Sequence, residues 1–317
     1  ENLSCAIECL EKSTALDLNQ ADVWLTLATA YHMASRLPQA LEAAKKASEL
    51  DAASAEGLLI AGEIALSMNL SDQALEFAQG AVRREPENAG VILFFCNVLV
   101  MRGRFEEGLE ILEQASSEVK AVFSIAFERA KLIYRLHGPK AVLESLDKMA
   151  NEYPEEPELL GFLARTQAEC GDLKSAERYA FKALRLDPNQ PDLTRMLGRL
   201  QRKAGQLDQA VHLLGEAIRM DPDDLEAYIE LGSVFQERRE YVQALQVYRE
   251  AMRIAPNDFQ AFYQSGMILR DSKDYSGSET MLRRAAELAP DNLIIRRLLV
   301  AVIALNLVHH KQEVAVS

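Results

Sequence analysis

No stretch of this 317-residue sequence sets Cys and His at metal-ligand spacing, and its four cysteines, Cys5, Cys9, Cys96 and Cys170, include no CxxC pair. A zinc site or disulfide framework is therefore not expected, no cofactor is implied, and the cysteine usage fits a reducing compartment. There is no G-x-S-x-G, no P-loop and no H-E-x-x-H, so nothing points to an enzyme. Alternating β-branched runs bounded by Asn-Gly or Asp-Gly turns are missing too, which removes the signal for strands. Basic charge is in deficit: 35 Lys and Arg against 48 Asp and Glu leave a net charge of −13. That balance argues against nucleic-acid binding through phosphate neutralisation. The apolar stretches at 91–101 and 293–305 are too short, and the second too charged, for a membrane span. No secretory signal is visible, but the chain opens inside a repeat and reads as a fragment. A cytoplasmic protein is expected, or a periplasmic one if the longer protein carries a signal.

What the sequence does have is a period. Pro154, Pro188, Pro222, Pro256 and Pro290 stand 34 residues apart, and Pro86 lies two periods before Pro154. A fixed period of this size marks a solenoid, in which each unit buries its apolar face only against its neighbours. Repeats starting at Ala21, Ala55, Ala89, Phe123, Pro157, Pro191, Leu225 and Phe259 run without a gap to Asn292. Position 8 of the repeat then reads Ala28, Gly62, Cys96, Ala130, Ala164, Gly198, Gly232 and Gly266. Position 20 is Ala, Gly or Ser except at Val142, and position 27 is Ala except at Met149. Three columns of small residues imply three places where helices touch closely.

These residues carry a resemblance to the tetratricopeptide repeat family. Trp24, Leu27, Ala28, Tyr31, Ala40 and Ala47 follow its pattern, as do Tyr228, Leu231, Gly232, Phe235, Ala244, Tyr248, Ala251 and Pro256. The resemblance covers nearly the whole chain. It implies an all-α, right-handed superhelical solenoid of antiparallel helix pairs, whose first helices line a concave groove. Residues 1–20 are then the second helix of an incomplete repeat, 21–292 eight tandem repeats, 293–308 a capping or incomplete-repeat helix, and 309–317 a polar tail. Gly103, Gly171 and Gly205 mark turns within pairs. In Pro188-Asn189, Pro222-Asp223, Pro256-Asn257 and Pro290-Asp291, the proline ends one helix and the next residue is expected to cap the following one. The register weakens at 116–140, where Lys120 replaces the proline and Gly138-Pro139 breaks a turn; drift of the repeat and a hinge are both open.

A helical wheel puts positions 4, 7, 8 and 11 of each first helix on the packing side, and positions 2, 5, 9, 12 and 13 on the groove side. Position 5 gives an apolar ridge of Leu25, Leu59, Leu93 and Phe127, expected to be more exposed than apolar residues normally are, with Asn97 beside it. Farther along, Lys131, Arg135, Arg165, Arg195, Arg199, Arg202 and Lys203 fall on groove positions, opposed there by Glu158, Glu169 and Asp192. Convergent guanidiniums bind carboxylates through paired hydrogen bonds. Two family modes do not fit. The carboxylate clamp would need Lys and Asn where Leu93 and Phe94 stand, and an Asn ladder at position 6 is missing.

The expected function is a non-enzymatic scaffold binding a protein or peptide in its groove, by apolar contacts in repeats 1–4 and acidic-group contacts in repeats 4–6. One alternative is the repeat region of a larger enzyme or of an envelope or secretion protein. Another is a self-assembling oligomer. In the last helix, Leu299 and Ile303 are expected to pack on the preceding repeat, leaving Ile294, Ala301 and Leu305 for a homodimer contact.

Overall fold

The computed structural model describes residues 2–316, with side chains through residue 309. Among the described residues every regular element is helical, and the chain divides after Leu146 into two compact units. Unit 1 holds α1 (Asn2–Leu16), α2 (Ala21–Met33), α3 (Leu37–Leu50), α4 (Glu56–Ser67), α5 (Ser71–Arg84), α6 (Ala89–Met101), α7 (Phe105–Gln114), the short α8 (Ser117–Lys120) and α9 (Phe123–His137). A 3-10 turn, Pro139–Ala141, leads to α10 (Leu143–Glu152), which carries the division. Unit 2 continues with α11 (Pro157–Glu169), α12 (Leu173–Leu186), α13 (Pro191–Lys203), α14 (Leu207–Met220), α15 (Leu225–Glu237), α16 (Tyr241–Ile254), α17 (Gln260–Asp271), α18 (Tyr275–Leu288) and α19 (Leu293–Val316). Beyond His309, the expected polar tail lies outside the residues whose side chains are described.

Each unit is a stack of antiparallel pairs. In unit 2, α11 packs on α12, α13 on α14, α15 on α16 and α17 on α18, and each second helix also packs on the first helix of the next pair. First helices touch one another as well: α11 with α13, α13 with α15, and α15 with α17. The sequence makes these pairs in a simple way. Second helices carry an apolar stripe at i, i+3, i+4 and i+7, as in Ala176, Tyr179, Ala180 and Ala183 of α12, all buried. Pro157 and Pro191 open α11 and α13, where a missing amide hydrogen costs nothing.

The small columns are the pair contacts. A Cβ built on Gly198 would lie 2.8 Å from Leu214 Cγ, and one on Gly266 would lie 2.7 Å from Leu282 Cγ. Cys96 sits in the same column, fully buried, with its thiol pushed up to about 12 chiefly by burial. Val142 and Met149 are buried too, at positions where other repeats carry smaller residues.

The turn within seven of the pairs uses one left-handed residue at repeat position 15. Gly103, Gly171 and Gly205 have φ of 74°, 89° and 77°, while Ser35, Asn69, Arg239 and Lys273 hold φ near 60° without the freedom of glycine.

Three sequence expectations need correction. The Pro-Asn and Pro-Asp pairs lie within the turn, one or two residues short of the helix, so they do not cap it. At two of the four junctions the next residue caps instead: Asp224, accepting from the Ala227 amide, and Asn292, accepting from Ile294 and Ile295, while Gln190 and Phe259 make no side-chain cap. Positions 3 and 10 are also packing positions: Leu193 and Leu200, Ala227 and Val234, and Ala261 and Ile268 are all buried. A first helix meets two second helices, one on each side, which widens its buried arc. Accordingly α19 is seated by Ile295 and Val302, which are buried, while Leu299 and Ile303 are only half-buried.

Candidate functional site

The first-helix face of unit 2 carries a cleft of about 460 Å³ built from α11, α13 and α15. Its walls hold Arg165, Arg195, Arg199 and Lys203 together with Glu169, Asp192, Glu226 and Glu230. Four cations therefore face four acids, a balance that differs from the positive surplus read from the sequence. The missing acids come from α15, one repeat beyond the stretch over which the cations had been counted.

The cations are not equivalent. Arg195 is mostly buried and sits among three carboxylates: Asp192 at 2.8 Å, Asp224 at 3.0 Å, and Glu226 in close contact. Its Nε faces Asp224 off the hydrogen-bond line and is otherwise unpartnered. Arg202 reaches from α13 to α15, with Nε 3.1 Å from Glu230 and Nη1 2.6 Å from Glu237. It stands outside the cleft lining. Both arginines fasten α13 to the next pair and are not available in the manner the sequence suggested. Arg165, Arg199 and Lys203 differ: all three are exposed, and none makes an ion pair among the described residues. Arg165 and Arg199 occupy repeat position 9 of successive pairs, and Lys203 follows one turn after Arg199.

Beneath the wall, Tyr248 is fully buried against Gly232, and burial pushes its phenol up to about 12. Its hydroxyl lies 3.3 Å from Ser233 Oγ and 3.4 Å from Gln236 Oε1, so it is a fixed polar strut of the α15–α16 pair.

In unit 1 the expected residues do not form one ridge. Leu25, Leu59 and Leu93 are half-buried; Leu59 packs toward Ala55, Ala81 and Val91, and Leu93 toward Ile92 and Cys96. Phe127 is only 4% exposed, which overturns the expectation of an open ring there. Phe123 stacks on it from one turn before, with ring centroids 5.6 Å apart, and Lys131 covers it from one turn after at 4.9 Å. Lys131 also pairs with Glu128 at 2.6 Å, and the Arg135 guanidinium lies 4.1 Å over the Phe105 ring. Asn97 is exposed. The open apolar side chains of this face are Met33 and Met101, 71% and 69% exposed, both at repeat position 13 beside the position 5 ridge.

On α19, Ile294, Ala301 and Leu305 are exposed, as are Leu293, Val300 and Leu307. Among the described residues no group of three or more His, Cys, Asp or Glu is placed to hold a metal ion, and no helix is long and apolar enough to cross a membrane.

Comparison with known proteins agrees with this geometry. Tetratricopeptide repeat models match residues 195–259 and 259–292. No curated protein gives a significant match. Among solved structures, a tetratricopeptide repeat protein from Parabacteroides merdae ATCC 43184 is 17% identical, with a TM-score of 0.56 over 78% of this chain and 98% of that one. The APC/C hetero-tetramer Cut9–Hcn1 aligns at 16% identity with a TM-score of 0.59, over 93% of this chain and 58% of the matched one. MamA 41-end from Desulfovibrio magneticus RS-1 aligns at 20% identity with a TM-score of 0.51, over 54% and 96%. At such identities the likeness is one of fold.

Proposed function

The chain is a tetratricopeptide-repeat protein of the protein-interaction class, and we propose that it holds an acidic segment of a partner protein on the first-helix face of unit 2. The observation that carries this reading is the division of labour among the cations of this face. Arg195 and Arg202 are saturated by acids of their own chain, whereas Arg165, Arg199 and Lys203 are exposed and unpaired. An incoming carboxylate meets charged donors there without first breaking an ion pair. The surrounding acids Glu169 and Glu230 set a limit on length and register, because a run of carboxylates too long for the three cations meets like charge. In unit 1 the first-helix face also offers exposed thioethers. Met33 and Met101 are polarizable and adaptable, and suit an apolar side chain of a partner.

The test is fluorescence anisotropy with a labelled Glu- and Asp-rich peptide and its Gln and Asn counterpart. The acidic peptide is expected to bind, more weakly as salt rises, and the neutral one to bind at least about tenfold less. Arg199→Glu combined with Lys203→Glu is expected to abolish the difference. Equal binding of both peptides, or an undisturbed affinity in the double variant, overturns the reading.

A further inference from the structure

Helix α19 departs from the repeat in two ways. Seven of the preceding pairs turn at position 15 on a residue of positive φ, but α19 runs through that position, Leu307, and continues as one helix to Val316. At position 8, where every preceding first helix buries a small residue, α19 carries Val300, and Val300 is 67% exposed. A second helix of the ordinary kind does not fit there. In the preceding pair even a Cβ on Gly266 would collide with Leu282, and valine adds two further carbons. Whatever covers this face must stand farther off, at the spacing of side chain against side chain.

The exposed face has the pattern of a helix–helix seam. Leu293, Val300 and Leu307 recur every seven residues, all more than half exposed, with Arg297 and Ala304 between them. A strict seven-residue apolar repeat on one helix calls for another helix alongside. The opposite side is fixed to the body by Ile295 and Val302, and by Asn306, whose amide donates to Glu279 at 2.9 Å.

We infer that this seam pairs with α19 of a second copy of the chain, antiparallel, about a twofold axis near Val300. Read in reverse, the seven-residue triplet matches itself. Leu293 meets the copy's residue 307, Val300 meets its own counterpart, and the long Arg297 side chain falls between the copy's Val300 and Ala304, the smallest residue of the stripe. A parallel pair would instead stack Arg297 on Arg297, and like charges in register oppose association. The antiparallel arrangement is closed, so it ends at two copies. The seam between Leu293 and Leu307 is about 21 Å long. A single seam of this length makes a small interface, of the kind found in transient complexes. The face is separate from the basic cleft, and the inference does not depend on the acidic-segment reading.

Sedimentation velocity of the full chain, from low micromolar to a few hundred micromolar, tests it. The chain is expected to shift from monomer to dimer across this range. Val300→Glu and, independently, Leu307→Lys are expected to raise the dissociation constant at least about tenfold. Val242→Glu, on an exposed residue of α16, is the control and should leave it unchanged. Arg297→Leu is expected to tighten the dimer by adding an apolar residue to the seam. Circular dichroism melts establish that each variant is folded. A monomer throughout the range, or variants at residues 300 and 307 that associate as the parent does, overturns the inference. Association beyond two copies overturns the closed antiparallel pair.

Discussion

Gly232 lies against the ring of Tyr248 with no room for a methyl group between them. Helix α15 and helix α16 approach as closely as they do because position 8 ends at a Cα. Gly232→Ala gains helix propensity of about 1 kcal/mol, yet it forces the buried Tyr248 ring to move. The second effect is the larger. A net loss of about 1–3 kcal/mol is expected in urea unfolding, and a neutral result would mean that the pair can spread.

The turn residues of unit 2 give a pair of opposite signs. Gly205 adopts φ 77°, and Gly205→Ala is expected to cost about 1–2 kcal/mol, because Cβ crowds the carbonyl in this region. Arg239 adopts φ 61° at the same repeat position, and Arg239→Gly is expected to stabilise by about 0.5–1 kcal/mol. Thermal melts of the two variants should move in opposite directions.

Arg195 and Arg199 are one turn apart on α13 and should behave differently. Arg195→Ala leaves Asp192, Asp224 and Glu226 close together with no cation among them, and should lower stability measurably. Arg199→Ala removes an exposed, unpaired charge and should leave stability within about 0.5 kcal/mol. The order reverses for binding of the acidic peptide. If Arg195→Ala unfolds at the parent urea midpoint, the ion cluster has no structural weight.

Glu85 joins two pairs in unit 1. It accepts from the Ala55 amide at 2.7 Å and from Asn88 at 2.6 Å, and these bonds, the first above all, hold its carboxyl below the usual carboxylate range. A depressed folded-state pKa contributes stability above the unfolded value, and that contribution is lost as pH falls through the folded value. Stability should therefore drop on acidification, and Glu85→Gln should lie below the parent near neutrality and converge with it in acid. Parallel melts over that range are the check; a constant gap between the two proteins would contradict it.

The period of the sequence carried most of the architecture. Proline spacing and the small columns reflect steric needs repeated in every pair, so helix positions and close contacts could be read directly. What was not legible depends on a second neighbour. The buried positions 3 and 10, such as Leu193 and Leu200, face the preceding pair, which a wheel for one pair does not include. Asp224 caps the next repeat's first helix and Glu226 and Glu237 lie on it, and counting charges only where the cations lay left them out. Phe127 is closed off by Phe123 and Lys131, residues one turn away on its own helix that the column at position 5 never compares. The seam on α19 was half visible: the helix was seen to be apolar, but its anchoring through Ile295 and Val302 rotates the open stripe toward Val300 and Leu307.

Eight repeats with the same small-residue columns create a problem of alignment, since a chain displaced by one repeat would bury almost the same alanines. Val142 and Met149 break that degeneracy. Each fills a buried place that elsewhere takes Ala, Gly or Ser, and a one-repeat slip would push its extra carbons into a seat shaped for less, at about 1–3 kcal/mol each. The least regular repeat thus works as an index mark, giving a near-periodic polymer a single lowest-energy alignment.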